Sequence, residues 1–325
     1  MSAVHHRFAA IEGRRIFYRE AGSPESPTVV LLHGYPTSSA MYRNLIPLLA
    51  DRYHVVAPDH LGFGLSDAPS VDEFSYSFDA LARITSSLLA SLEITKYAIV
   101  VQDYGAPIGW RLALEDPSAI TAIISQNGNA YEEGFVESFW KDVWAYARAQ
   151  TPQTEAAVRA ALTREAIRWQ YVTGVADPTL VDPGTWERDA SLIGRPGNDL
   201  VQLALFRNYA SNIPLYPRLH EYFRSTQVPL LAVWGQGDEI FGPEGAHAFS
   251  RDLPNAHIEL HPGGHFLLES GLEAAAAVIR SFLSEAVGSS LGSWTVPSRP
   301  AGSAVGVTVM GGGNVPRAKT GDKLH

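Results

Sequence analysis

The 325-residue sequence contains no cysteine. That excludes a disulfide framework, a Cys-ligated metal and thiol catalysis together. Blocks of like charge are missing too. The net charge of −9 is carried without such a run, which argues against nucleic acid and anionic membranes as partners. No stretch of about 18 apolar residues runs unbroken. The opening Met1-Ser-Ala-Val-His-His-Arg7 holds no apolar leader. These absences predict a soluble, cytoplasmic protein. What is present, 46% hydrophobic and 18% charged residues, fits a globular chain. Its length allows one large α/β domain, or a core with an insertion.

Apolar, β-branched runs alternate with helical spacing through most of the chain. Phe8 to Glu20 reads as a hairpin around Glu12-Gly13-Arg14. Thr28 to His33, His54 to Pro58, Tyr97 to Val101, Thr121 to Ser125, Pro229 to Trp234 and Ala256 to Leu260 read as strands. Helices are expected from the Thr37-Ser38-Ser39 cap to about Ala50, over Phe78–Leu92, after Tyr104, over Pro243–Arg251 and over Glu273–Ala286. Strand and helix in alternation predict a mostly parallel sheet flanked by helices. The rhythm breaks near Gly128. Residues 130–212 are rich in Trp, Tyr, Arg and Ala with helical spacing, which predicts an inserted all-helical cap. The core would then comprise residues 1–129 and 213–286. Residues 287–325 are rich in Gly, Ser and Pro without periodicity and read as a flexible tail. A dinucleotide site at Gly62-Phe-Gly64 fails on spacing.

The stretch around which the rest is arranged is Tyr97-Ala-Ile-Val-Val-Gln-Asp103-Tyr-Gly105-Ala-Pro107. It reads as a buried strand, a sharp turn, and a helix with proline in its first turn, where a missing N–H costs nothing. One reactive side chain at such an apex is a nucleophile elbow of the α/β-hydrolase kind. The apex is Asp103. A carboxylate suits displacement at saturated carbon, leaving an ester that water can cleave. In this fold the acid and then the histidine follow the nucleophile. Asp238, after the Trp234 strand, and His265, in Gly263-Gly264-His265, meet that order, with His261 as the nearest rival. The N–H groups of Tyr35 and Tyr104 are placed to form an oxyanion hole. His33 reads best as a residue holding its loop.

Taken together, His33-Gly-Tyr-Pro36, Pro58-Asp-His-Leu-Gly-Phe-Gly64, Gln102-Asp-Tyr-Gly105, Trp234-Gly-Gln-Gly-Asp238 and Gly264-His265 resemble the Asp-nucleophile branch of the α/β-hydrolases. That branch contains epoxide hydrolases and haloalkane dehalogenases. The resemblance spans about residues 5 to 286 and implies a cofactor-free, metal-free hydrolase. Dehalogenases typically carry Trp after the nucleophile and Asn or Glu after His-Gly, to hold the halide; Tyr104 and Tyr35 stand there. Epoxide hydrolases need cap tyrosines as proton donors. Tyr209 matches the second of these in position, and Tyr171 and Tyr146 are weaker candidates for the other. Trp140 and Trp144 are candidates for the pocket wall, although aromatic packing is their default. The reading is therefore an epoxide hydrolase acting on small apolar substrates and water, as a monomer or homodimer. Its triad is Asp103, Asp238 and His265, with Tyr209 as acid. The alternatives are a haloalkane dehalogenase with the same triad and a non-catalytic small-molecule receptor.

Overall fold

The computed structural model describes residues 3–288. Its strands are β1 (His5–Ile11), β2 (Arg14–Ala21), β3 (Thr28–Leu32), β4 (His54–Pro58), β5 (Tyr97–Val101), β6 (Ile120–Gln126), β7 (Leu230–Gly235) and β8 (His257–His261). They form one sheet in the order β1-β2-β4-β3-β5-β6-β7-β8. The β1–β2 hairpin and the β2–β4 pair are antiparallel, and every later pairing is parallel. This is the mostly parallel sheet that the alternation predicts. All five residues of β5 are buried, as expected of a central strand covered on both faces.

Register sets where the loops gather. Leu32 lies beside Val101, so β3 and β5 end together and bring His33-Gly34 next to the elbow. On the other side, Gln126 pairs with Val233 and Gly235 with His261. The carboxyl ends of five parallel strands therefore converge on one edge, where open α/β sheets place their ligands.

Helices α1 (Ile46–Leu49), α2 (Phe78–Ser91) and α3 (Gly105–Glu115) lie before β6. Between β6 and β7 come α4 (Glu137–Arg148), α5 (Pro152–Arg159), α6 (Arg164–Val172), α7 (Pro183–Ile193), α8 (Asn198–Asn208) and α9 (Tyr216–Thr226). Helix α10 (Pro243–Ala248) precedes β8, and α11 (Leu267–Ser270) and α12 (Leu272–Gly288) follow it. Among the described residues, the stretch between β6 and β7 contains no strand. Its last helix, α9, belongs with the sheet layer: Phe223 meets Trp110 of α3 edge to face at 5.9 Å.

Two expectations need correction. The helix capped at Thr37-Ser38-Ser39 does not reach Ala50 unbroken. Ser38 caps a 3₁₀ turn, Ser39–Tyr42, and α1 starts afresh at Ile46. Pro47 explains the break, because in a continuous helix its ring would collide with the carbonyl four residues back. The tail boundary also moves, since α12 continues through Val287 and Gly288. The rest of the expected tail, 289–325, lies outside the described residues. No helix among the described residues is long and apolar enough to cross a membrane.

Candidate active site

Asp103 sits at φ 46°, in the left-handed region that most side chains avoid and Asp tolerates better. Two glycines make this turn possible. A Cβ at Gly105 would lie 2.0 Å from Leu32 O, and one at Gly34 would lie 2.3 Å from Asp103 Cβ. The backbones of the elbow and the β3 loop therefore approach more closely than any larger residue permits.

That approach determines what the Asp103 carboxylate meets. Its Oδ1 accepts the backbone N–H of Tyr35 at 2.7 Å and of Tyr104 at 2.5 Å. Its Oδ2 faces His265 Nε2 at 3.9 Å. Burial pushes the carboxyl up to about 6, while His265 and the two amides pull it back. It remains mostly ionised at neutral pH.

His265 Nδ1 lies 2.8 Å from Asp238 Oδ2. Burial alone would lower the imidazole, but the Asp238 charge and hydrogen bond, with Asp103 behind them, raise it overall. Asp238 is itself held. Its Oδ1 accepts Ile240 N at 2.7 Å, and its Oδ2 accepts Asn127 Nδ2 at 2.8 Å. Asn127, just past β6 at φ 47°, is anchored in turn by Gly235 N on its Oδ1. Gln102 Nε2 lies 2.8 Å from His265 Nε2. No expectation from the sequence gave a role to Asn127 or to the Gln102 side chain. No spacing rule reveals an amide whose partners come from other strands. His261 ends β8, and its Nε2 is buried and, among the described residues, unpartnered.

Aromatic rings close the site. Tyr104 lies 5.8 Å from both Tyr35 and Tyr209, and Phe206 and Phe78 meet it edge-on. Tyr35 Oη donates to Ala161 O, whereas Tyr104 Oη is buried and, among the described residues, unpartnered. Burial, with a smaller push from the Asp103 charge, raises Tyr35, Tyr104 and Tyr209, so all three stay protonated. Trp140 lies tilted against Tyr209, ring centres 4.4 Å apart, but spends its N–H on Ile240 O. Trp144 flanks both. Arg111 of α3 pins the segment after Tyr209 by donating to Asn212 Oδ1 at 2.8 Å.

Other candidates lie elsewhere. Tyr171 stacks on Phe266 and donates to Asp189 at 2.5 Å. Burial raises Tyr146, with the Glu155 charge adding to it and Arg207 and Arg159 opposing. His33 has both ring nitrogens engaged, Nδ1 with Gly34 O and Nε2 with His60 N. Burial lowers it to about 3, so it is a neutral clasp between two loops. Beside Phe206 and Ala161 a cavity of about 240 Å³ opens, lined also by Ser138, Asp142, Trp169 and Gln170; Asp103, Asp238, His265 and Tyr209 do not border it.

The arrangement holds a carboxylate, a histidine oriented by a second carboxylate, and two amides aimed at one oxygen. Comparison with known proteins identifies the fold. The alpha/beta hydrolase fold family matches residues 27–272. An uncharacterized hydrolase of Saccharomyces cerevisiae is 41% identical over 87% of this chain and 98% of its own. A haloalkane dehalogenase of Mesorhizobium japonicum is 29% identical, over 83% and 88% respectively. The solved structure of the epoxide hydrolase CorEH superposes with a TM-score of 0.70 at 20% identity, covering 87% of this chain and 99% of that one. With the sheet order, the elbow and a match across three quarters of its length, the chain belongs to the α/β-hydrolase fold family.

Proposed function

We propose that the chain is an epoxide hydrolase that works through an alkyl ester on Asp103. The observation that carries this reading is the split of the Asp103 carboxylate. One oxygen is held by two backbone N–H groups, and the other is turned toward His265. With a serine at the apex, those donors would await a substrate oxygen; here they hold an oxygen of the side chain itself. Oδ2 attacks a ring carbon, and Oδ1 becomes the carbonyl oxygen of the ester. It is already seated where negative charge develops when water adds to Cγ. His265, oriented by Asp238, takes the proton from that water.

The acid step falls to phenols. An alkoxide is a poor leaving group and benefits from a proton, which Tyr209 supplies, with the unpartnered Tyr104 Oη beside it. The helices between β6 and β7 act as the cap that brings Tyr209 over the nucleophile and excludes water. Similarity to haloalkane dehalogenases supports the second reading, halide release from the same ester chemistry. Against it stands the indole N–H of Trp140, which is spent on Ile240 O.

The test is His265→Gln treated with styrene oxide. Alkylation does not need the base and hydrolysis does, so intact-protein mass spectrometry should show an adduct on Asp103. A variant that binds the epoxide and stays unmodified would sink the covalent mechanism.

A further inference from the structure

Gln102 is the residue before the elbow, and its side chain is fully buried. Its backbone N–H donates to Leu32 O at 3.1 Å, which fixes its place at the end of β5. Its amide nitrogen lies 2.8 Å from His265 Nε2. Its amide oxygen lies against Gly34, where a Cβ would come within 2.5 Å of it, and has no partner among the described residues.

The proton inventory of His265 decides which end of the amide is used. Nδ1 lies 2.8 Å from the Asp238 carboxylate, so in the neutral ring Nδ1 carries the hydrogen and Nε2 presents a lone pair. Only an N–H can face that lone pair. The lone pair is the base of the proposed hydrolysis, and in the resting enzyme it is already occupied. Once the ring becomes an imidazolium, Nε2 carries a hydrogen and requires an acceptor. The unpartnered Oε1 of the same amide is that acceptor, half a turn away about the last side-chain torsion.

We infer that Gln102 is a positioning residue for ester hydrolysis, holding the Nε2 lone pair at rest, releasing it to water, and accepting the Nε2 hydrogen afterwards. The inference rests on the covalent reading of Asp103. The balance is as follows. The water O–H bond breaks, its oxygen bonds to Asp103 Cγ, its proton goes to Nε2, and the charge falls on Oδ1. Collapse breaks the bond between Cγ and the former Oδ2, which leaves in the diol and takes the proton back from Nε2. Asp103 is left as the acid, and its proton restores the phenol that protonated the epoxide. The lone pair then returns to the amide N–H. The ionisable groups acting on His265 through this cycle are Asp238, from the loop after β7, and Asp103, from the elbow. Phe241 and Phe266, which pack on the ring, have none.

Single turnovers of the full chain with styrene oxide separate the steps, with adduct formation and decay followed by mass. Gln102→Leu offers neither donor nor acceptor. It should form the adduct within about twofold of the wild-type rate and hydrolyse it roughly 10²-fold more slowly, the scale of a disturbed general base. Gln102→Glu accepts but, when ionised, cannot donate. It should move the acid limb of hydrolysis upward by about one pH unit or more, as a carboxylate beside the imidazole favours its charged form. The role is read on the plateau above that limb, where His265 is neutral and the carboxylate cannot donate to Nε2: hydrolysis there should stay roughly 10-fold or more below wild type while adduct formation holds, a split that a merely structural side chain would not give. If Gln102→Leu does not fold, the Gln102→Glu profile decides alone. Wild-type hydrolysis in Gln102→Leu, or a wild-type plateau in Gln102→Glu, overturns the inference. Absence of any adduct, including in His265→Gln, overturns the covalent reading itself.

Discussion

At Asp103 the two carboxylate oxygens have different neighbours, and the consequences show in pH dependence. In the proposed path alkylation needs the carboxylate, which burial raises to about 6. Its rate should therefore fall about tenfold per unit below that value. Hydrolysis needs neutral His265, which Asp238 holds above the ordinary histidine value of 6.5 despite burial. Protonation removes the base, so hydrolysis fails at a higher pH than alkylation does. Between the two limbs the wild-type enzyme should accumulate ester, visible as a mass adduct that grows as pH falls toward about 6 and declines as pH rises through the His265 limb. Adduct levels that do not change with pH would contradict this ordering. Asp103, Asp238 and His265 were legible as candidates because each follows a recognisable strand in the expected order. Asn127 and Gln102 were not. Their hydrogen bonds reach Asp238 and His265 across 111 and 163 residues, and neither residue type carries a charge that would draw notice.

At the scale of elements, the elbow depends on how close β3 and the turn after β5 can come. A methyl at position 105 would sit 2.0 Å from the Leu32 carbonyl oxygen, and that oxygen belongs to backbone that cannot swing aside. Gly105→Ala should therefore cost about 3 kcal/mol or more, in the range reserved for overpacking and backbone conflict. Urea unfolding monitored by tryptophan fluorescence would measure it. A loss under about 1 kcal/mol would mean that the elbow tolerates separation. The strands were easy to read because buried parallel strands are continuous apolar runs bounded by turn residues. Helix limits were harder. A serine cap at Ser38 announced a helix correctly as a turn, but whether it continued depended on Pro47, nine residues on. The end of α12 ran past Ala286 for a similar reason, since small residues leave the stopping point weakly marked.

At the scale of the whole molecule, the relation between the helical stretch and the sheet determines which tyrosine meets Asp103. Sequence alone favoured Tyr209 by its place near the end of the cap and left Tyr171 and Tyr146 as weaker candidates, because aromatics in amphipathic helices do not announce what they face. Folding separates them. Tyr209 joins Tyr104 above the elbow, Tyr171 turns to Asp189, and Tyr146 lies among peripheral charges. Tyr209→Phe should accordingly cut epoxide alkylation roughly 10²-fold, the loss of one positioned acid. It should spare halide release from a matched bromide much more. Equal losses on both substrates would reduce Tyr209 to packing. The covalent path through Asp103 is tested most directly by one turnover of the wild-type enzyme in heavy-oxygen water. Because water adds to Cγ, the label should enter the Asp103 carboxyl, and the first diol should carry the old aspartate oxygen unlabelled. A labelled first diol with an unlabelled Asp103 peptide would show that water attacks the epoxide directly, and would contradict the mechanism.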